Sequence, residues 1–180
     1  FVLRCRETGD AVLLDAANEH DLLLELCTNL GVREVLETHG HWDHIQAVPA
    51  IRDAGYSVHV TQQDAHMLDS YDEILEDESV IEVGRLRLHT IHTPGHTPGS
   101  ICFEVKDGKD TVIFAGDTLF RRSVGRTDLP GGDTDLLRES IRTNLYTRAP
   151  DALVIPGHGP NTTIEEEAAK NPFVTANLRA

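Results

Sequence analysis

One seven-residue stretch constrains this chain more than any other. In Thr38-His39-Gly40-His41-Trp42-Asp43-His44, three imidazoles and a carboxylate follow directly on residues 32–36, which read as a buried strand. In extended backbone, side chains two residues apart project to the same side, so His39 and His41 can converge on one ion. A turn into a following helix can swing Asp43 and His44 toward a second. Imidazole is a good zinc ligand, and a structural zinc site is normally closed by four protein groups, whereas a catalytic one keeps a position for water. The remaining ligands must come from elsewhere in the chain.

Three later places qualify, each a histidine or acid at a strand end beside glycine. They are His96 in Thr93-Pro94-Gly95-His96-Thr97, Asp117 in Gly116-Asp117-Thr118, and His158 in Gly157-His158-Gly159. Glycine lets the backbone bend sharply there and a ligand reach inward.

The surrounding pattern predicts strands covered by helices. Two β-rich runs, 2–5 and 11–15, flank Thr8-Gly9-Asp10 as a hairpin would. Leu22, Leu23, Leu26 and Leu30 recur at helical spacing and Gly31 follows as a stop, which predicts a helix over 19–30. Pro49 suits the first turn of a helix starting near Ala47 and ending near Gly55. A strand over 57–60 and a helix near 62–68 come next, then an acidic stretch, 69–78, read as a solvated helix or loop face because it lacks the ligand spacing of a calcium loop. Strands are expected at 80–83, 85–91, 101–105 and 111–115. Leu136, Leu137, Ile141 and Leu145 form the stripe of a helix over 133–146. A last strand at 152–155 precedes Pro156, and 163–169 reads as helical. The whole suggests two sheets packed face to face with helices outside.

With these residues in place, the chain resembles the metallo-β-lactamase-fold hydrolases, and among them the small single-domain glyoxalase II-like (hydroxyacylglutathione hydrolase-like) proteins. The likeness runs from Leu14-Asp15 through the His-x-His-x-Asp-His loop to Pro156-Gly157-His158-Gly159-Pro160. It implies an α/β (α+β) fold, a four-layer αββα sandwich, in one domain over 1–180. It also implies one metal site of His39, His41 and His96, a second of Asp43, His44 and His158, and Asp117 bridging both. Asp15 corresponds to an aspartate that supports the ligand loop without touching metal. The run Gly116-Asp117-Thr118-Leu119-Phe120 with Gly125-Arg126-Thr127-Asp128 is shared in part with persulfide dioxygenases.

The chemistry so implied is hydrolysis by water activated between two divalent ions, zinc first, with iron or manganese as alternatives. Asp43 and Asp117 are the carboxylates assigned catalytic roles, and Arg126 is a candidate to orient an anionic substrate, set against a plain surface ion pair. The substrate expected is a small-molecule acyl thioester, such as S-lactoylglutathione. The alternatives are a mononuclear-iron persulfide dioxygenase, another hydrolase of this fold such as a lactonase or esterase, or a non-catalytic metal-binding protein. Gly40 departs from glyoxalase II proper, which has a further histidine in this loop, and the chain stops shortly after His158, without the helical glutathione-binding region of larger relatives.

Composition narrows the partners. A formal net charge of -14 argues against nucleic acid or an anionic membrane as ligand, and no apolar run is long enough to cross a bilayer. Cys5, Cys27 and Cys102 are odd in number and widely spaced, which suggests reduced thiols and, with no signal peptide visible, a cytoplasmic protein. Phe1 already lies in a strand-like run, so a few residues are expected to precede it. His20, His59, His66, His89 and His92 are read as ordinary surface or core histidines, Trp42 as a packing residue, and Cys102 as a small buried hydrophobe. Oligomeric state is not legible.

Overall fold

The computed structural model describes residues 1–175, so the last five residues of the expected 1–180 domain lie outside the described residues. The hairpin forms as β1 (Val2–Arg4) and β2 (Ala11–Leu14), and α1 (His20–Leu30) ends on Gly31 at φ 74°, whose N–H bonds the Cys27 carbonyl. Next come β3 (Val32–Leu36), the single turn α2 (Trp42–Ile45), α3 (Val48–Asp53), β4 (Ser57–Thr61) and β5 (Glu73–Leu75). β6 (Val80–Val83), β7 (Leu86–His92), β8 (Ile101–Asp107) and β9 (Asp110–Gly116) make an antiparallel meander. A small ribbon of β10 (Leu119–Phe120) and β11 (Ser123–Val124) leads to α4 (Thr134–Ser140), β12 (Leu153–Pro156), β13 (Thr162–Thr163) and α5 (Ile164–Lys170).

One sheet has the order β1-β2-β3-β4-β5, parallel from β2 to β5, and the other β13-β12-β9-β8-β7-β6. Period-two alternation sorts their side chains into layers. From β2, Ala11 and Leu13 pack with Cys27, Val48 and Ile51 on the helical side, while Val12 and Leu14 meet Leu88, Phe103 and Phe114 between the sheets. From β8 and β9, Cys102, Ile113 and Ala115 turn outward onto Leu137, Ile141 and Leu145. Helix, sheet, sheet, helix is therefore the layer order, as the sequence resemblance implied.

Several local expectations need correction. The helix near 62–68 is only a 3₁₀ turn, Ala65–Met67. The acidic stretch contributes β5, the edge strand of the first sheet, because Ile74 and Leu75 pair with β4 and pack against the core clusters. The 133–146 helix changes to a π-turn over Ile141–Leu145, and Leu136 falls on its exposed side while Leu137 is buried. Leu22 likewise faces outward from α1. Among the described residues no helix is long and apolar enough to cross a membrane.

Candidate metal centre

Both sheets deliver their carboxyl-end loops to one edge of the sandwich. The 37–41 loop leaves β3 in extended conformation, with His41 at φ -69°, ψ 147°, and the chain then winds into α2. His39 and His41 consequently share a side, and the first turn of α2 carries Asp43 and His44 around to their neighbour. From the second sheet, His96 arrives on the β7–β8 loop, Asp117 at the end of β9 and His158 after β12.

All seven side chains meet. Nitrogens or oxygens of His39, His41 and His96 form one group, Asp43, His44 and His158 another, and His39, His44 and Asp117 a third, each with ligand atoms within 4.8 Å of one another. His96 Nε2 lies 2.9 Å from His41 Nδ1 and 3.2 Å from His39 Nε2. His158 Nε2 lies 3.3 Å from His44 Nε2 and 3.0 Å from Asp43 Oδ2. Asp117 sits between the groups, Oδ1 3.5 Å from His44 Nε2, and Oδ2 3.7 Å from His96 Nε2 and 3.6 Å from His158 Nε2.

The outer partners of these rings decide which nitrogen is available. His44 Nδ1 lies 2.8 Å from the Asp15 carboxylate, and His96 Nδ1 2.7 Å from the Arg126 carbonyl. Both oxygens only accept, so each Nδ1 carries the hydrogen and each Nε2 can turn a lone pair into the cluster. Asp15 also accepts the Thr38 N–H (2.7 Å) and hydroxyl (3.0 Å), tying the ligand loop to the end of β2. Its backbone is left-handed at φ 62°, which aims the carboxylate at the loop.

Such a donor set is costly without a cation. Burial, then the neighbouring His44, His96, His41 and His158, push the His39 imidazole well below the usual histidine range. Asp117 Oδ1 is buried with no hydrogen-bond partner among the described residues. Burial opposes ionisation of Asp117, yet His44, His158 and His96 hold its carboxyl below the usual range. For His44, burial works against protonation, but Asp117 and Asp15 outweigh it and raise its pKa to about 10. The cluster thus draws positive charge to the point where three groups converge, and a divalent cation satisfies the same lone pairs without a proton. Five imidazoles with two carboxylates suit zinc or iron better than calcium or magnesium, which take oxygen ligands.

Outside the cluster, His59 bonds Ser57 Oγ, His92 bonds the Pro98 carbonyl and His66 the Gln63 carbonyl, and none of these histidines joins the seven. Trp42 does not pack into the core: it is 72% exposed on the ligand loop, because the first turn of α2 buries His44 and Ile45 and so turns Trp42 outward. Arg126 spends its guanidinium on an exposed bidentate pair with Asp128, at 2.8 and 2.9 Å, and what it gives the cluster is its carbonyl. Beside His96, a cavity of about 210 Å³ is lined by Gly125, Arg126, Thr127, Thr134, Leu137 and Arg138. The three cysteines are buried and unpaired, Cys102 lying against Thr93 Oγ1.

Two carboxylates escaped the sequence reading. Glu37 is fully buried, accepts from the Ala16 N–H, and has its pKa raised well above the ordinary value by burial and then by Asp15. Asp64, also fully buried, bonds Gly40, Thr97 and Gly99. Their partners lie 21 to 35 residues away along the chain, so no local pattern could have shown them.

Comparison with known proteins gives the family and the fold. The metallo-beta-lactamase superfamily profile matches residues 1–158. Hydroxyacylglutathione hydrolase GloC of Haemophilus influenzae is 32% identical over 190 residues, spanning 93% of this chain and 88% of its own. The crystal structure of the BLEG-1 B3 metallo-beta-lactamase superposes with a TM-score of 0.87 at 33% identity, covering 97% of this chain and 92% of that one. TTHA1623 in a di-iron-bound form gives 0.82 at 31% identity, covering 97% and 93%.

Proposed function

This chain belongs to the metallo-beta-lactamase superfamily of metal-dependent hydrolases, and from that premise we propose that it hydrolyses acyl thioesters of a small thiol, with zinc as its metal. In this reading His39, His41 and His96 hold one ion, Asp43, His44 and His158 the other, and Asp117 both. The observation that carries it is the position of Asp117: one largely buried carboxylate faces both ligand groups, and its buried Oδ1 has no hydrogen-bond partner among the described residues.

Bound divalent cations would supply Lewis acidity, polarising a carbonyl and lowering the pKa of water to about 7. The protein side of the reaction follows from exposure. His39, His44 and His96 form a buried floor that excludes bulk water, whereas Asp43 and His158 are more than half exposed and mark the open side. On that side Asp43 is the carboxylate assigned to accept a proton from the attacking water and return it to the departing sulfur. Phe120, with its ring 6.5 Å from that of His158, gives the mouth an apolar wall for an acyl group. Two carboxylates against two dications leave the centre cationic, which favours an anionic or thiolate-releasing substrate. Support for the thioester comes from the GloC relative; support for iron in place of zinc comes from the di-iron-bound neighbour.

The test is elemental analysis of the purified chain combined with initial rates on a panel of acyl thioesters, lactones, a β-lactam and a persulfide with oxygen uptake. Thioester turnover that falls at least a hundredfold in His39→Ala, Asp117→Ala and His158→Ala is expected. Near-wild-type turnover in all three would end the hydrolytic reading, and iron with oxygen consumption on the persulfide would replace it with an oxidoreductase.

A further inference from the structure

The cluster is assembled from two sheets that meet largely by side-chain packing, with one backbone bond from the Ile101 N–H to the Thr38 carbonyl at 2.9 Å, so its width depends on what else fixes the 37–41 loop against the His96 loop. His96 comes within 3.2 Å of two histidines from the opposite half of the molecule. Asp64, just beyond β4 in the first sheet, reaches across that divide. Its Oδ2 accepts the Gly40 N–H at 3.0 Å and the Thr97 hydroxyl at 2.6 Å, and its Oδ1 accepts the Gly99 N–H at 2.7 Å. Gly40 separates His39 from His41, and Thr97 follows His96 directly. Thr61, three residues before Asp64, adds a bond from its hydroxyl to the Gly99 carbonyl at 2.8 Å.

The approach is close enough to dictate residue type. A Cβ at Gly99 would stand 2.1 Å from Thr61 Oγ1 and 2.6 Å from Asp64 Cγ, and one at Gly40 would stand 2.7 Å from Met67. All three donors to Asp64 are neutral, so a fully buried carboxylate is held here by two peptide N–H groups and a hydroxyl. Joining two loops does not need a buried charge, which costs several kcal/mol of desolvation unless it is well compensated. A negative charge beside a cationic centre is where that cost is offset.

We propose that Asp64 is a positioning residue that sets the three-imidazole subsite, clamping the peptide between His39 and His41 to the turn that carries His96. The proposal rests on the reading of the cluster as a two-metal centre. Asp64 contacts neither Asp43, His44 nor His158, so its influence is confined to one of the two subsites.

Asp64→Asn keeps the shape but leaves one oxygen and puts an NH₂ against at least one of the three donors. Zinc affinities of the full chain are read by competition with a chromophoric chelator, and the geometry by the visible spectrum of the cobalt-loaded protein. Loss of an outer partner of a metal site costs roughly 10- to 100-fold in affinity. One of the two zinc steps should weaken by about that factor with an altered cobalt spectrum, and the other should stay within about twofold. Thr97→Val should show the same effect in smaller measure, and Thr97→Ser, which keeps the hydroxyl, should restore it. Asp64→Asn with both steps unchanged, or with both weakened alike, overturns the clamp. Should Asp64→Asn fail to fold, the Thr97 pair decides: wild-type binding in Thr97→Val overturns it. A wild-type chain that takes up no metal sinks the two-metal reading and the clamp together, whereas a metal-loaded wild type with an indifferent Asp64→Asn sinks the clamp alone.

Discussion

Replacing Asp15 by Asn tests how a single carboxylate orients a ligand it does not share. Three donors converge on Asp15: the Thr38 N–H at 2.7 Å, the Thr38 hydroxyl at 3.0 Å and His44 Nδ1 at 2.8 Å. Asn has one acceptor oxygen. If that oxygen keeps the peptide N–H, the NH₂ group faces His44 Nδ1 and can be satisfied only by the other tautomer, with hydrogen on Nε2, the atom that must offer a lone pair to the metal. The lost charge-assisted bond is worth about 1.5–3 kcal/mol. At about 1.4 kcal/mol per decade, that becomes roughly a 10- to 150-fold loss in metal affinity at the His44 subsite. The folded apoprotein should suffer less. Asp15 is, after burial, the next cause of the raised Glu37 pKa, so neutralising it relieves a repulsion in the same pocket. The left-handed backbone of residue 15 is no obstacle, since Asn tolerates that region as well as Asp does. Urea unfolding of the metal-free variant and chelator competition for zinc separate the two effects. A variant that loses stability but binds zinc like the wild type would refute the tautomer argument.

Other expectations follow from the same geometry. Gly157→Ala would put a Cβ 2.4 Å from Asp117 Oδ1 and 2.9 Å from His44 Cε1, so zinc affinity should fall tenfold or more with the far-ultraviolet circular dichroism unchanged; wild-type affinity would show that the carboxylate can step aside. Metal removal should lower the melting temperature: free zinc at about 100 times its Kd stabilises by about 2.7 kcal/mol per ion, or roughly 5–11 °C for a chain of this size, and a calorimetric scan without any shift would count against binding. Asp72 is held down at about 2, first by Arg52 and then by the Val58 N–H. A depressed acid contributes stability above its unfolded value of about 3.9 and loses it as pH falls through about 2, so Asp72→Asn should be less stable than wild type by under about 1 kcal/mol at neutral pH, with the gap shrinking steadily as pH falls from about 4 toward about 2. A gap in urea midpoints as wide near pH 2 as at neutral pH would contradict this. Trp42→Ala should cost less than about 1 kcal/mol of stability in urea unfolding; a loss of about 3–5 kcal/mol would mean that the ring packs after all.

Much of this was legible before any coordinates. The His-x-His-x-Asp-His spacing declares a metal loop because local backbone geometry alone decides which of those side chains can share an ion. Glycines beside His96, Asp117 and His158 mark chain reversals at strand ends for the same local reason. The near-continuous apolar runs of β2, β8 and β9 suit strands buried on both faces. Where the reading failed, packing overrode local pattern. Trp42 carries the largest apolar side chain in the loop, yet its place in the first turn of α2 faces outward. Glu73-Ile74-Leu75 lies in an acidic run and still becomes a strand, because the edge of β4 offers it a ladder.

The sequence by itself determined which groups could bind a cation and the period of the elements that carry them, since both depend on residues close together along the chain. Only the tertiary structure decided that Asp15 orients His44, that Arg126 lends its carbonyl to His96 while its guanidinium turns to Asp128, and that Asp64 and Glu37 are buried beside the site. Those roles belong to pairs formed across long stretches of chain, and a hydrogen bond between distant residues leaves no periodicity in either of its partners.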